Sequence, residues 1–247
     1  MRDITSKTLT GLLAIGLLAA CSDSNNNSNN GPIVTNPPPA PVIATFQVSV
    51  TNLTNAQPLS PAAVIIHQTG FQVFDLGAPA TNALEVLAEG GDNSDLLTLA
   101  DNDVSVYSTA SGNGPIPPGQ NEVISFDLEE RAIPDAYVSV ATMLVNTNDA
   151  FTGASLIDLT AMSVGDSVTR RGRAYDAGTE ADDELAIYIP GPAGGGEGYN
   201  AVRDDSVNAV TMHTGVVTSD DGLVTSALTG QHKFDNPVIS IRIERIN

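Results

Sequence analysis

Two short stretches concentrate oxygen-bearing side chains of the kind that hold a hard cation. Asn146 to Gly153 (NTNDAFTG) offers Asn146, Asn148 and Asp149 ahead of an aromatic residue and a glycine. Tyr175 to Glu184 (YDAGTEADDE) offers Asp176, Glu180, Asp182, Asp183 and Glu184, with Gly178 permitting a tight turn. Calcium takes six to eight oxygen ligands at about 2.3–2.6 Å from carboxylates, carbonyls and water. No contiguous EF-hand pattern occurs, so a calcium site here must be assembled from both loops. The spacing of Asp176 and Glu180 around Gly178 lets one loop turn both carboxylates inward, and a pair of adjacent strands can bring Asp149 beside Asp176. Carboxylates that converge without a cation repel one another and raise each other's pKa. A bound ion gives the convergence a reason; the alternative is a set of ordinary surface turn residues.

Each loop follows a stretch that reads as a strand, and the elements around them are mostly extended. Thr45 to Val50 alternates Phe46, Val48 and Val50 with polar residues, the period of a strand with one buried face. Ala62 to His67 is a short apolar run. Val104–Tyr107, Glu122–Leu128, Tyr137–Val145, Val168–Ala174, Leu185–Ile189 and Ala209–Val217 continue the series, broken by Gly/Pro-rich connections. Pro237 to Ile246 sets Ile239, Ile241 and Ile243 on one face. Thr81 to Glu89 predicts a helix: Thr81 or Asn82 caps it, Leu84, Leu87 and Ala88 share a face, and Gly90-Gly91 stops it. Ser94 to Ala100 adds a second helical turn or two. Strands at this spacing with one or two short helices predict a mainly β, antiparallel sandwich.

Other chemistries fit the residues less well. His67, His213 and His232 show none of the short spacings of a zinc site. There is no GxSxG nucleophile motif, and Ser60 beside Pro61 sits in a turn. The stretch Pro190 to Gly198 lacks the GK[ST] ending of a phosphate loop. Paired carboxylates raise a glycosidase reading, but the chain has no Trp to stack on sugar rings. A binding module is therefore expected rather than an enzyme.

The formal net charge is −19. Nucleic acid and anionic lipid both need a basic face, so neither is an expected partner. Leu9 to Ala20 is an apolar run of signal-peptide length behind Arg2 and Lys7. It is too short to span a bilayer and ends in Leu18-Ala19-Ala20-Cys21, which resembles the lipobox of bacterial lipoproteins. On that reading residues 1–20 are removed and Cys21, the chain's one cysteine, becomes a lipidated N-terminus that anchors the chain to a membrane. Several acyl chains, at about 0.8 kcal/mol per buried CH₂, hold stably where one does not. Ser22 after the cysteine, rather than Asp, points to the outer membrane of the bacterial envelope. Residues 21–43, rich in Asn, Ser and Pro, read as a tether with little to bury, followed by one domain over 44–247. With no thiol left for disulfides, that domain must rest on its core, to which a bound metal can add.

The region from Phe46 to Ile246 resembles a spondin N-type domain, the module of F-spondin that also occurs in bacterial lipoproteins. The matching pieces are Asn52-Leu53-Thr54 with Gln57 to Pro61 and His67, Leu84 to Gly90, Asn148 to Gly153, Tyr175 to Glu180, and Asn236-Pro237-Val238 running into Ile243 to Ile246. The resemblance implies a C2-like β-sandwich with a calcium ion held by Asp149, Asp176 and Glu180. The family often has Asp where this chain has Glu180, and Trp near the position of Phe151. It also implies a role in adhesion or cell-surface interaction with a protein or glycan ligand. The alternative is a carbohydrate-active or hydrolytic accessory domain using the same acidic cleft. Neither residues nor resemblance gives the oligomeric state.

Overall fold

The computed structural model describes residues 38–247. The expected signal peptide, Cys21 and most of the expected tether lie outside the described residues. Among those described, no helix is long and apolar enough to cross a membrane.

The chain is mainly β and antiparallel throughout. Its strands are β1 (Ile43–Asn52), β2 (Ala63–His67), β3 (Val106–Ser111), β4 (Asn121–Glu129), β5 (Tyr137–Met143), β6 (Ala150–Asp158), β7 (Ser167–Asp176), β8 (Thr211–Met212) and β9 (Ile239–Arg245). Two short helices, α1 (Asn82–Gly90) and α2 (Ser94–Asp101), separate β2 from β3. The strands run in the order β3-β2-β5-β6-β7-β9-β1-β4, with β8 beside β7.

This is one continuous sheet rather than two separate layers. β7 makes it so: Ser167–Gly172 pair with β9, whereas Arg173–Asp176 pair with β6. The sheet folds over at this shared strand and nearly closes, so that β3 and β4, the two ends of the strand order, come together. Their upper ends are clasped by the Glu122 carboxylate, which accepts from the Asn113 backbone N–H at 2.6 Å.

Alternation along the strands fills the enclosed space. Ala44, Phe46, Val48 and Val50 of β1 face Ile124, Phe126 and Leu128 of β4 and Ile239, Ile241 and Ile243 of β9. Val64, Ile66, Val138 and Val140 come in from β2 and β5. Phe46 and Phe126, paired across β1 and β4, stack at 5.2 Å. Burying side chains of this size contributes roughly 1.5–3 kcal/mol each. A second cluster forms where α1 and α2 lay Leu84, Leu87, Ala88, Leu96 and Ala100 against Ile65, Ala141 and Phe151.

The first helix forms as its sequence dictates. The Thr81 side chain accepts from the Leu84 N–H at 3.2 Å, and Gly91 ends the helix in the left-handed conformation (φ 69°). Three expectations need correction. Leu185–Ile189 is a single 3₁₀ turn over Ala186–Tyr188 rather than a strand. It follows Glu184, itself at φ 59°, and enters a segment that turns on Gly191 and Gly194. Only Thr211–Met212 of the apolar run Ala209–Val217 pairs with a neighbour, because His213 and Gly215 (φ 97°) turn the chain away. The stretch Asn146–Gly153 is a loop only as far as Asp149, since Ala150 begins β6.

Candidate metal centre

The pairing of β6 with β7 places Ala150 opposite Asp176. Asp149, one residue before β6, therefore lies beside the end of β7, and its carbonyl faces the Ala177 N–H at 3.4 Å. The two acidic loops meet at one end of the sheet.

Asp149 is fully buried. Its Oδ2 accepts from the Thr179 N–H (2.8 Å), the Thr179 hydroxyl (3.2 Å) and the Glu180 N–H (3.1 Å). Its Oδ1 has no hydrogen-bond partner. Gly178 makes this cradle possible: at φ 69° it turns the loop, and a Cβ there would stand 2.5 Å from the backbone N and O of Ala209. Asp176, half-buried, accepts from the Gly178 N–H at 2.7 Å through Oδ1. The asparagines of the first loop act as struts. Asn146 donates to the Ala56 carbonyl and accepts from the Ala193 N–H. Asn148 accepts from the Glu184 N–H at 3.3 Å and donates to Asp183 at 3.2 Å.

The electrostatics follow from burial and crowding. Burial, then the Asp176 charge, pushes the Asp149 carboxyl up to about 7 against the pull of its three donors. Asp176 is raised by burial and by Asp205. Glu180 is pushed up to about 9 by burial, then by Glu89, Asp149, Asp204 and Asp183. Asp182 keeps 36 % of its side chain exposed. Even so, partial burial and the charges of Asp149, Asp176, Glu184 and Asp205 push it up to about 8. Glu184, buried and accepting from the Val217 N–H at 2.9 Å, is pushed up to about 7 by burial and Asp183.

Asp149 thus feels the charge of Asp176, and Asp182 feels the charges of both. Glu180 has Glu89 of α1 as its strongest charged neighbour, ahead of Asp149. Glu89 was not singled out by sequence, although Glu85 and Glu89 share the buried side of α1 with Leu84 and Ala88. Glu89 is fully buried; one oxygen accepts from the Asn200 N–H at 2.8 Å and the other has no partner. Glu85 is neutralised by Arg203, whose Nε and Nη2 lie 3.0 and 2.6 Å away.

The donor set suits a hard cation. The Thr179 side chain that bonds Asp149 offers oxygen, and three buried carboxylate oxygens, on Asp149, Glu180 and Glu89, lack partners. Among the described residues, no three His, Cys, Asp or Glu side chains stand ready assembled as metal ligands. A cation bound between Asp149 and Asp176 would draw its further oxygens from loop carbonyls, water and a shift of Asp182 or Glu180.

The histidines take other roles. His213 Nδ1 accepts from the Gly215 N–H at 2.9 Å. A neutral ring then carries its proton on Nε2, 3.7 Å from Asp182, which leaves no lone pair for a metal. Burial holds this ring near pKa 4. His67 joins β2 to β5: Nδ1 lies 2.6 Å from the Gln68 carbonyl and Nε2 lies 2.7 Å from the Ser139 hydroxyl. Both side chains are fully buried, so this serine–histidine contact has no face open to a substrate. His232 caps a turn at Thr229. A scan of the chain against protein-family models finds no match, and a search of curated proteins finds no relative.

Proposed function

We propose that this chain is an exported, lipid-anchored binding module of the spondin N type, with a C2-like arrangement of its folded sheet. In this reading a calcium ion pins the loop before β6 to the loop after β7. One observation carries it: Asp149 is fully buried one residue before the partner of Asp176, with one oxygen held by three donors and the other unpartnered. Asp149 and Asp176 would hold the ion, with Glu180 and Asp182 within the same acidic cluster. A divalent charge there relieves the repulsion that raises these carboxyls and fixes a rigid loop edge for a protein or glycan ligand. The lipobox-like Leu18-Ala19-Ala20-Cys21 supports an anchor at the bacterial outer membrane, facing the periplasm or the exterior, where the fitting role is adhesion or surface interaction.

Thermal unfolding in calcium and in chelator tests the ion. Calcium at a hundred times its Kd should raise Tm by roughly 5–10 °C. An Asp149→Asn, Asp176→Asn double variant should lose that increment and differ little from wild type in chelator. A Tm indifferent to calcium sinks the reading. A panel of glycosides and esters addresses the hydrolytic alternative, which requires turnover that disappears with Asp149→Asn.

A further inference from the structure

The chain carries ten Lys and Arg residues against twenty-nine Asp and Glu, and several of the ten gather on two neighbouring strands. Arg170, Arg171 and Arg173 stand on β7, and Arg242 stands on the neighbouring β9. Register decides which way they point. Gly172 pairs with the buried Ile239, so Arg171 and Arg173, one residue to either side, face outward; Arg171 pairs with Ser240. Arg242 pairs with Thr169 and with Ser49 of β1, on the same outer face. All four arginines are exposed. Arg242 is joined to Glu244, and Arg170 lines a separate hollow with Asp158 and Asp166. Among the described residues, Arg171 and Arg173 make no side-chain hydrogen bond or ion pair. They flank a shallow cavity of about 480 Å³ closed by Asn236 and Pro237.

We propose that this strip binds a linear acidic polysaccharide, with Arg171 and Arg173 gripping successive sulfate or carboxylate groups. Residues two apart on a strand project from one face about 6.6–6.8 Å apart. Guanidinium forks at that interval suit anionic groups repeated along a chain, each held in two-pronged fashion. Beside Arg171 the same outer face carries the hydroxyls of Thr169, Ser240 and Ser49 around Arg242, which matches a ligand rich in both anionic groups and hydroxyls. A polysaccharide fits better than the other polyanions. A lipid bilayer or a nucleic acid duplex presents a broad negative plane, which would meet the carboxylates that give this molecule its net charge of −19. Single-stranded nucleic acid is held by aromatic stacking, and Thr169, Arg171, Arg173, Ser240 and Arg242 include no aromatic residue. One thin chain can follow the strip alone. The site is separate from the acidic loops and does not depend on calcium.

The test uses the full chain in chelator with heparin, a uronate polymer, neutral dextran, vesicles containing anionic phospholipid, and a single-stranded oligonucleotide. At low salt the protein should bind the sulfated or uronate polymer and not dextran, with affinity falling as salt rises. An Arg171→Gln, Arg173→Gln variant should lose at least tenfold in affinity at unchanged Tm. An Arg131→Gln, Lys233→Gln variant, which removes the same charge from exposed positions elsewhere, should bind as wild type. Failure to bind either acidic polymer overturns the proposal, as does equal loss in both variants. Tighter binding to vesicles or oligonucleotide than to either glycan overturns the assignment to polysaccharide. Because calcium is chelated throughout, failure here leaves the thermal test of the acidic loops untouched.

Discussion

At the scale of single residues, the carboxylates around Asp149 set a pH dependence whose sign can be worked out. The carboxyls of Asp149, Glu180, Asp182 and Glu184 have ordinary values of 3.8 or 4.5 and folded values of about 7 to 9. Through these four carboxyls the folded state binds more protons than the unfolded state between about pH 4 and pH 9, and they outnumber His213 and His67, whose lowered values act the other way below pH 6.5. Stability must fall as pH rises through that window. In chelator, Tm should decrease from pH 5 to pH 9, and the increment given by calcium should grow over the same range. A Tm in chelator that rises with pH would contradict the crowding of these groups. Asp149 and Asp176 could be picked out in the sequence because turn-forming acidic loops follow strand-like runs. Glu89 could not, since a carboxylate on a short helix reads as solvated unless the helix is known to press that face into a loop. The division of labour among Asn146, Asn148 and Asp149 was equally hidden, because only the fold shows which oxygens are already bound to backbone N–H groups.

At the scale of elements, α1 and β9 were legible because each carries its own instructions. Thr81 and Gly91 mark the ends of the helix, and three alternating isoleucines mark the buried face of the strand. Replacing Thr81 with Ala should cost about 1 kcal/mol, measured by denaturant unfolding. Between Ile189 and Val210 the chain forms no strand or helix, so local pattern says little about its course. Its position comes from long-range anchors: the Ala193 and Asn200 N–H groups donate to Asn146 and Glu89, and Arg203 donates to Glu85, to the Ala80 carbonyl and to Asn208. Replacing Arg203 with Ala strands a buried carboxylate and should cost about 3 kcal/mol. Arg203→Lys should recover only part, since an ammonium cannot span those three acceptors. Leu185–Ile189 and Ala209–Val217 are apolar enough for strands, but a run needs a partner of matching register, and composition cannot supply one.

At the scale of the whole molecule, an antiparallel β fold with two short helices follows from the spacing of apolar runs. The near closure of the sheet does not, because it depends on one strand changing partners midway. Gly172 and Gly153 sit where that change happens. A Cβ on Gly153 would lie 1.9 Å from the Val140 carbonyl oxygen, and one on Gly172 would lie 2.4 Å from the Ile239 side chain. Gly153→Ala should therefore destabilise by at least about 3 kcal/mol, a loss of the size expected from forced overpacking, readable as a drop in the denaturation midpoint. Acidity acts at the same scale. A chain of net charge −19 gains from screening, so Tm should rise with sodium chloride even in chelator.

The strand that changes partners has a further consequence for cooperativity. Because β7 is hydrogen-bonded to β9 through its first half and to β6 through its second, neither side of the sheet can melt and leave the other with a complete set of neighbours. The molecule should denature as a single unit, with no half-folded species at equilibrium. Hydrogen exchange should show amides on β1 and on β5 opening together, at one common free energy.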